Sequence, residues 1–470
     1  MKEQPKTVWA NFGFGLMGRL ASQAFSFVIV VYLARVLGPA DYGDLSWALA
    51  VVSYFNLLAN FGLQTVGTRE IARDQKNCRE SANQILSLRV WLAILSYVLL
   101  ILYGYFLVSN LRLLYLLLLY GLTLLSSSWF LDWFFVGMED MKSLTIANML
   151  GSLLSGLFTF LLVKDVNDIY FIPAVSFAGS VLACLYLLNL YRKNHSVCLS
   201  LNFGSFFKWL RLSVPFAFTG LLSQVYGNMD MLLIGYFAGS EEVGYYSVAY
   251  KIVFVLSGII GIYSQSTWPV MIRLFENNKQ ELGVFLKQNL HSMLYFMLPI
   301  VTGGTLLGGN IIEAFFGERY MPAVVPFILL LYYVFLMAIS ITLANLLLAT
   351  KKDKVYLSTL TLGAIVNVSA NLVLIPAWRA AGAAVAMVIT ELVIVVFLLS
   401  KANSLHKGAW IDGKFLFAVL ASSGVMALVI AGSMQWLQVH VGIVILLGAI
   451  LYLGVSWSFC VKYIRRTQAK

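Results

Sequence analysis

The sequence predicts an all-α polytopic membrane protein with fourteen transmembrane helices. These form two parallel-repeat six-helix bundles followed by two C-terminal helices. Three observations carry this. Of 470 residues, 60% are hydrophobic and only 11% charged, against about 25% charged in soluble domains. The apolar residues fall into runs long enough to span a bilayer, which takes about 20 residues. And the stretch LGPADYGDLSWA at Leu37–Ala48 returns as AGSEEVGYYSVA at Ala238–Ala249, at a constant offset of 201.

The spans read in order are 11–34, 45–66, 90–108, 113–136, 144–163, 169–190, 213–237, 245–269, 288–309, 323–349, 357–376, 382–400, 415–435 and 442–461. An even number returns the chain to the side it started from. With both termini cytoplasmic, 25 of the 32 Lys and Arg residues fall on cytoplasmic segments. Arg35, Arg112, Lys164, Arg319 and Arg379 fall outside, and Arg19 and Lys251 within spans. That is the positive-inside bias. The net charge of +11 is therefore topology plus contact with anionic headgroups, not a nucleic-acid footprint. The N-terminus has no short apolar run with a small-residue cleavage site, so the first span is expected to do its own targeting.

The offset of 201 maps span 1 onto span 7 and span 2 onto span 8. Seven identities fall in positions 20–48, among them Gln23 with Gln224, Gly38 with Gly239 and Gly43 with Gly244. Six helices separate the copies. An even number preserves orientation, so the repeats are parallel, about an axis along the membrane normal. The expected organisation is a first lobe at 1–197 and a second at 198–405, opened by an amphipathic cytoplasmic linker. The last two spans occupy 406–470. The alternative is two hairpins that share only their turn glycines. Two parallel bundles around a midplane cleft are a transporter plan.

Chemistry-bearing motifs are sparse. Cys78, Cys184, Cys198 and Cys460 lack metal spacing. There is no HExxH, no nucleophile elbow and no phosphate-cradling glycine loop followed by Lys. No cofactor or enzyme activity is expected. Outer loops are too short to present catalytic groups to a lipid-linked sugar, which disfavours a polysaccharide polymerase. Trp209, Trp268, Trp378, Trp410 and Trp436 fall near predicted interfaces, as an aromatic belt would.

Several stretches together carry a family resemblance: YLARVLGPADYGDLSWA, NFGLQTVGTREIARD, WFFVGMEDMK, DMLLIGYFAGSEEVGYYSVAYKI and GAIVNVSANLVLIP followed by AAGAAVA. In this order the chain resembles the polysaccharide-transport (Wzx-type) flippases of the multidrug/oligosaccharidyl-lipid/polysaccharide exporter superfamily. Val136 departs from the Gln that members often carry there, so it receives no role. The resemblance implies a MATE-like fold and alternating access. It implies flipping of an undecaprenyl-diphosphate-linked oligosaccharide, such as an O-antigen repeat unit, to the outer leaflet of a bacterial inner membrane. A polysaccharide polymerase would act in the same pathway. Relatives that export drugs or flip the peptidoglycan precursor are the rival readings.

Five charged residues sit within spans: Arg19, Asp132, Asp230, Lys251 and Glu391. Each costs roughly 2.5–3.5 kcal/mol at a helix centre, so such residues pair or face water. Asp230 lies seven residues before the end of span 7 and Lys251 six after the start of span 8. At 1.5 Å per residue both are roughly 10 Å below the outer edge. They are expected to pair, either structurally or as a pair that opens to let Lys251 meet diphosphate and Asp230 take a proton. Arg19, about eight residues into span 1, suits a pyrophosphate headgroup or snorkels to the interface. Glu391, near the middle of span 12, is a coupling candidate for H+ or Na+, or hydrogen-bonds a neighbouring helix. Asp132 suits an interfacial or capping role better than coupling. Gln23, Gln224 and Asn228 suit sugar hydroxyls or helix–helix hydrogen bonds. An acidic cation-binding cavity would favour a multidrug antiporter. Arg19 and Lys251 instead suit an anionic amphiphile.

Overall fold

The computed structural model describes residues 5–76, 78–194, 197, 203–403, 410, 412–436 and 441–457. The side chains of 5–22, 194, 203, 434–436 and 441 lie outside that description. The chain is helical almost throughout. The helices are α1 (Pro5–Asn60), α2 (Leu63–Arg73), α3 (Arg79–Leu107), α4 (Leu111–Ser128), α5 (Asp132–Gly137), α6 (Met141–Leu162) and α7 (Phe171–Asn194). They continue as α8 (Phe203–Phe237), α9 (Ser240–Asn277), α10 (Lys279–Phe316), α11 (Val324–Ala349), α12 (Asp353–Asn403), α13 (Gly413–Trp436) and α14 (Val441–Ser456). Among the described residues, ten helical stretches are long and apolar enough to cross a membrane. In a bilayer every backbone amide must be satisfied internally, which is why such a chain is all helix.

Two compact units divide the chain, Met1–Gly244 and Tyr245–Lys470. In the first, α1 packs against α3, α4, α6 and α8. Its helix axis breaks at Gly38 (φ 78°). Pro39 then opens the second half, where its missing N–H costs nothing. At the break, Arg112 pairs with Asp41 at 2.7 Å, and the Tyr32 hydroxyl donates to the Val163 carbonyl at 2.6 Å.

The recurring hairpin recurs in conformation. Gly239 (φ 89°) repeats the left-handed turn of Gly38. A Cβ on Gly43 would overlap the Ser240 carbonyl oxygen and stand 2.6 Å from its carbon. A Cβ on Gly244 would overlap the Pro39 carbonyl oxygen and stand 2.8 Å from its carbon. Since 39 and 240, and 43 and 244, are equivalent at the 201 offset, the contact is reciprocal. The Ser240 hydroxyl also donates to Asp44.

Two sequence expectations change. Span 2 is not one helix to 66: it breaks at Phe61 (φ 40°) and Gly62 (φ 74°), where the α8 backbone comes so close that a Cβ on Gly62 would stand 2.7 Å from Ala217 N. The C-terminal end of the expected linker is helical and runs into span 7 as α8, Phe203–Phe237. Trp209 is not a belt residue. It is 1% exposed, packed with Leu63, Ile85, Trp133 and Tyr191, and its indole donates to Gln84 Oε1 at 3.0 Å. Trp378, by contrast, is exposed.

In the second unit α11 packs on α12, and α10 receives α11, α13 and α14. The last two helices are fastened to α10 by aromatic and polar contacts. His291 stacks on Phe415 at 4.2 Å and accepts from the Asp412 amide at 3.1 Å. Tyr452 donates to the Tyr295 carbonyl at 2.7 Å, and the Tyr295 and Ser456 hydroxyls share a 2.8 Å bond.

Candidate functional site

Several polar side chains of the first unit converge on one place. The fourth predicted span is broken: α4 ends at Ser128 and α5 starts at Asp132. A break exposes carbonyls that a continuous helix would satisfy. Arg89 of α3, 3% exposed, supplies the donors. Its Nη1 donates to the Phe130 carbonyl at 3.1 Å. Its Nη2 donates to the Ser127 carbonyl at 3.0 Å and to Asn60 Oδ1 at 2.7 Å. Asp132 Oδ1 stands 3.8 Å from Nη1, and Gln64 donates to Asp132 Oδ2 at 2.6 Å. Asn60 donates to Asn56 Oδ1 at 3.0 Å, which also accepts from Ser127 Oγ at 3.1 Å. Removing Asp132 would leave the buried Arg89 guanidinium without its counter-charge, at about 3–5 kcal/mol.

Asp132, in the first turn of α5, is also the partner of a buried guanidinium. One expectation changes. Arg89 is not a cytoplasmic-loop residue. The apolar run begins at 90, but α3 starts at Arg79 and carries Arg89 inside. Asn56 and Asn60 were also missed, although their spacing of four places them on one face of α1; Gln64 joins them from α2, across the break at Phe61 and Gly62.

The other candidates distribute as follows. Gln224 donates to Ser53 Oγ on α1, and its carbonyl accepts from the Tyr54 hydroxyl at 3.2 Å. Gln23 and Asn228 are half-buried on α1 and α8. The Arg19 side chain lies outside the described residues. Asp230 is 1% exposed on α8 and belongs to the first unit, whereas Lys251, half-buried on α9, belongs to the second. In the second unit Glu391 is 2% exposed and accepts from the Ser340 hydroxyl on α11. Nearby on α12, Asn371 donates to Asn367 at 3.0 Å. Among the described residues no group of His, Cys, Asp and Glu could hold a metal ion.

Fold and polar interior together define a polytopic helical membrane protein. Solved structures of the same fold include the lipid II flippase MurJ in an inward closed conformation (TM-score 0.78, 17% identity, 95% of this chain and 99% of that one). An inward-facing MATE-family multidrug transporter also matches (TM-score 0.65, 14% identity, 83% and 96%). The chain belongs to the polysaccharide biosynthesis protein family, whose model matches residues 8–275. It is 25% identical over 387 residues to a Shigella dysenteriae protein designated an O-antigen transporter, covering 81% of this chain and 96% of that one.

Proposed function

We propose that this protein flips an undecaprenyl-diphosphate-linked oligosaccharide, an O-antigen or related surface-polysaccharide repeat unit, across the bacterial cytoplasmic membrane. The observation that carries the reading is family membership together with a near full-length match to a designated O-antigen transporter. Fourteen helices cross the membrane with both termini cytoplasmic, and a polymerase consumes the product outside. Arg19 and Lys251 meet the diphosphate, because charge-assisted donors suit phosphate oxygens. Gln23, Gln224 and Asn228 offer amides to sugar hydroxyls. Asp230 and Glu391 couple transport to H+ or Na+, since a carboxylate deep in a helix bundle is the usual proton or ion relay. Asp132 is tied to Arg89 and takes no coupling role.

The test is flipping in proteoliposomes loaded with lipid-linked oligosaccharide, lipid II or a cationic drug in separate arms. Accessibility of the oligosaccharide on the far leaflet, with the other two arms flat, is the expected result. Movement of lipid II or the drug alone would overturn the assignment.

A further inference from the structure

We infer that Arg89 is the resident cation of the first unit: its guanidinium fills the oxygen cage opened by the α4–α5 break, so this unit binds no exchangeable metal cation at Asp132. Broken membrane helices commonly leave carbonyls and a carboxylate that coordinate a transported or coupling ion. Here the oxygens are the Ser127 and Phe130 carbonyls, Asn60 Oδ1 and Asp132 Oδ1. Two main-chain carbonyls, one amide oxygen and one carboxylate would be an ordinary set for a small hard cation. Arg89 reaches all four from a helix that is continuous through this depth.

The details fit a tethered ion. Asp132 Oδ1 and Arg89 Nε are both buried without a hydrogen-bond partner. At 3.8 Å the carboxylate thus faces the guanidinium through charge more than through a hydrogen bond. Gln64, Asn60 and Asn56 then hold the acceptors in place from α1 and α2. Their amides orient the cage and are positioning residues. Arg suits such a role because its fork can serve carbonyls on two sides, which a lysine ammonium cannot. Coupling to a metal cation therefore belongs to carboxylates other than Asp132.

Thermal stability of the purified protein in detergent tests this without reference to what is transported. Arg89→Ala should empty the cage. A ligand that binds only the folded state raises Tm by mass action, its stabilisation growing as RT ln(1 + L/Kd), with L the free ligand concentration. About 20 mM guanidinium should therefore raise the Tm of Arg89→Ala well above its value in equal choline chloride, and leave the wild type unmoved. Sodium should have no selective effect on the wild type. Equal guanidinium responses in both proteins would overturn the inference. So would a sodium-specific rise in the wild type that Asp132→Asn removes. If Arg89→Ala cannot be purified, Arg89→Lys serves: its Tm should fall by about 5 °C or more, because one ammonium cannot span both carbonyls and Asn60. A wild-type Tm for Arg89→Lys would overturn the inference.

Discussion

Gly43→Ala isolates the reciprocal hairpin contact. The added methyl would overlap the Ser240 carbonyl oxygen, stand 2.6 Å from its carbon and 2.9 Å from Gly244 N. All three are main-chain atoms, so no side chain can rotate away. Over-packing costs typically 1–3 kcal/mol, and a clash with backbone on every side belongs at the upper end, about 3 kcal/mol. At roughly 2–4 °C per kcal/mol for a unit of this size, Tm should fall by about 6–12 °C. Gly244→Ala meets Pro39 in the equivalent way and should cost a similar amount. Because either methyl displaces the same pair of turns, the double variant should lose clearly less than the sum, a coupling that a double-mutant cycle measures. Tm is read by a thiol-independent unfolding assay in detergent. A Gly43→Ala protein within a degree of wild type, or strictly additive losses, would refute the reciprocal packing.

Arg19→Ala should abolish flipping in proteoliposomes while Arg19→Lys rescues it poorly, since a point charge replaces a fork; wild-type flipping by Arg19→Ala would reject its headgroup role. Glu391→Gln retains an acceptor for the Ser340 hydroxyl, so the protein should fold, yet lose the response of transport to an imposed H+ or Na+ gradient. A retained gradient response would remove Glu391 from coupling. Lys351 sits at φ 58° just past α11, with Lys352 N bonded to Leu347 O at 2.9 Å in the helix-ending turn that favours glycine. Lys351→Gly should therefore raise stability by about 1 kcal/mol, read as Tm.

The helical membrane architecture was legible because hydropathy and charge asymmetry act over whole spans. The hairpin was legible because its glycines are required by contact and conformation, so they survive in both copies. The Arg89 cluster was not. A charge at the edge of an apolar run reads as the end of the span, and only the continuation of α3 shows it lies inside. The α4–α5 break carries neither Gly nor Pro between Ser128 and Asp132; the donor that stabilises it lies some forty positions upstream, beyond any local pattern. Trp209 misled for a similar reason, because its partner Gln84 comes from another helix. Gln224 was found through the repeat, but its bond to Ser53 needed the packing of α8 on α1.

The reciprocal glycine contact is locally two-fold: a patch in which position 43 meets 240 while 244 meets 39 reads the same from either copy. The constraint it imposes is confined to the turn. Beyond it the equivalent positions diverge in chemistry, with Ile29 and Ala50 in one copy where Asp230 and Lys251 stand in the other.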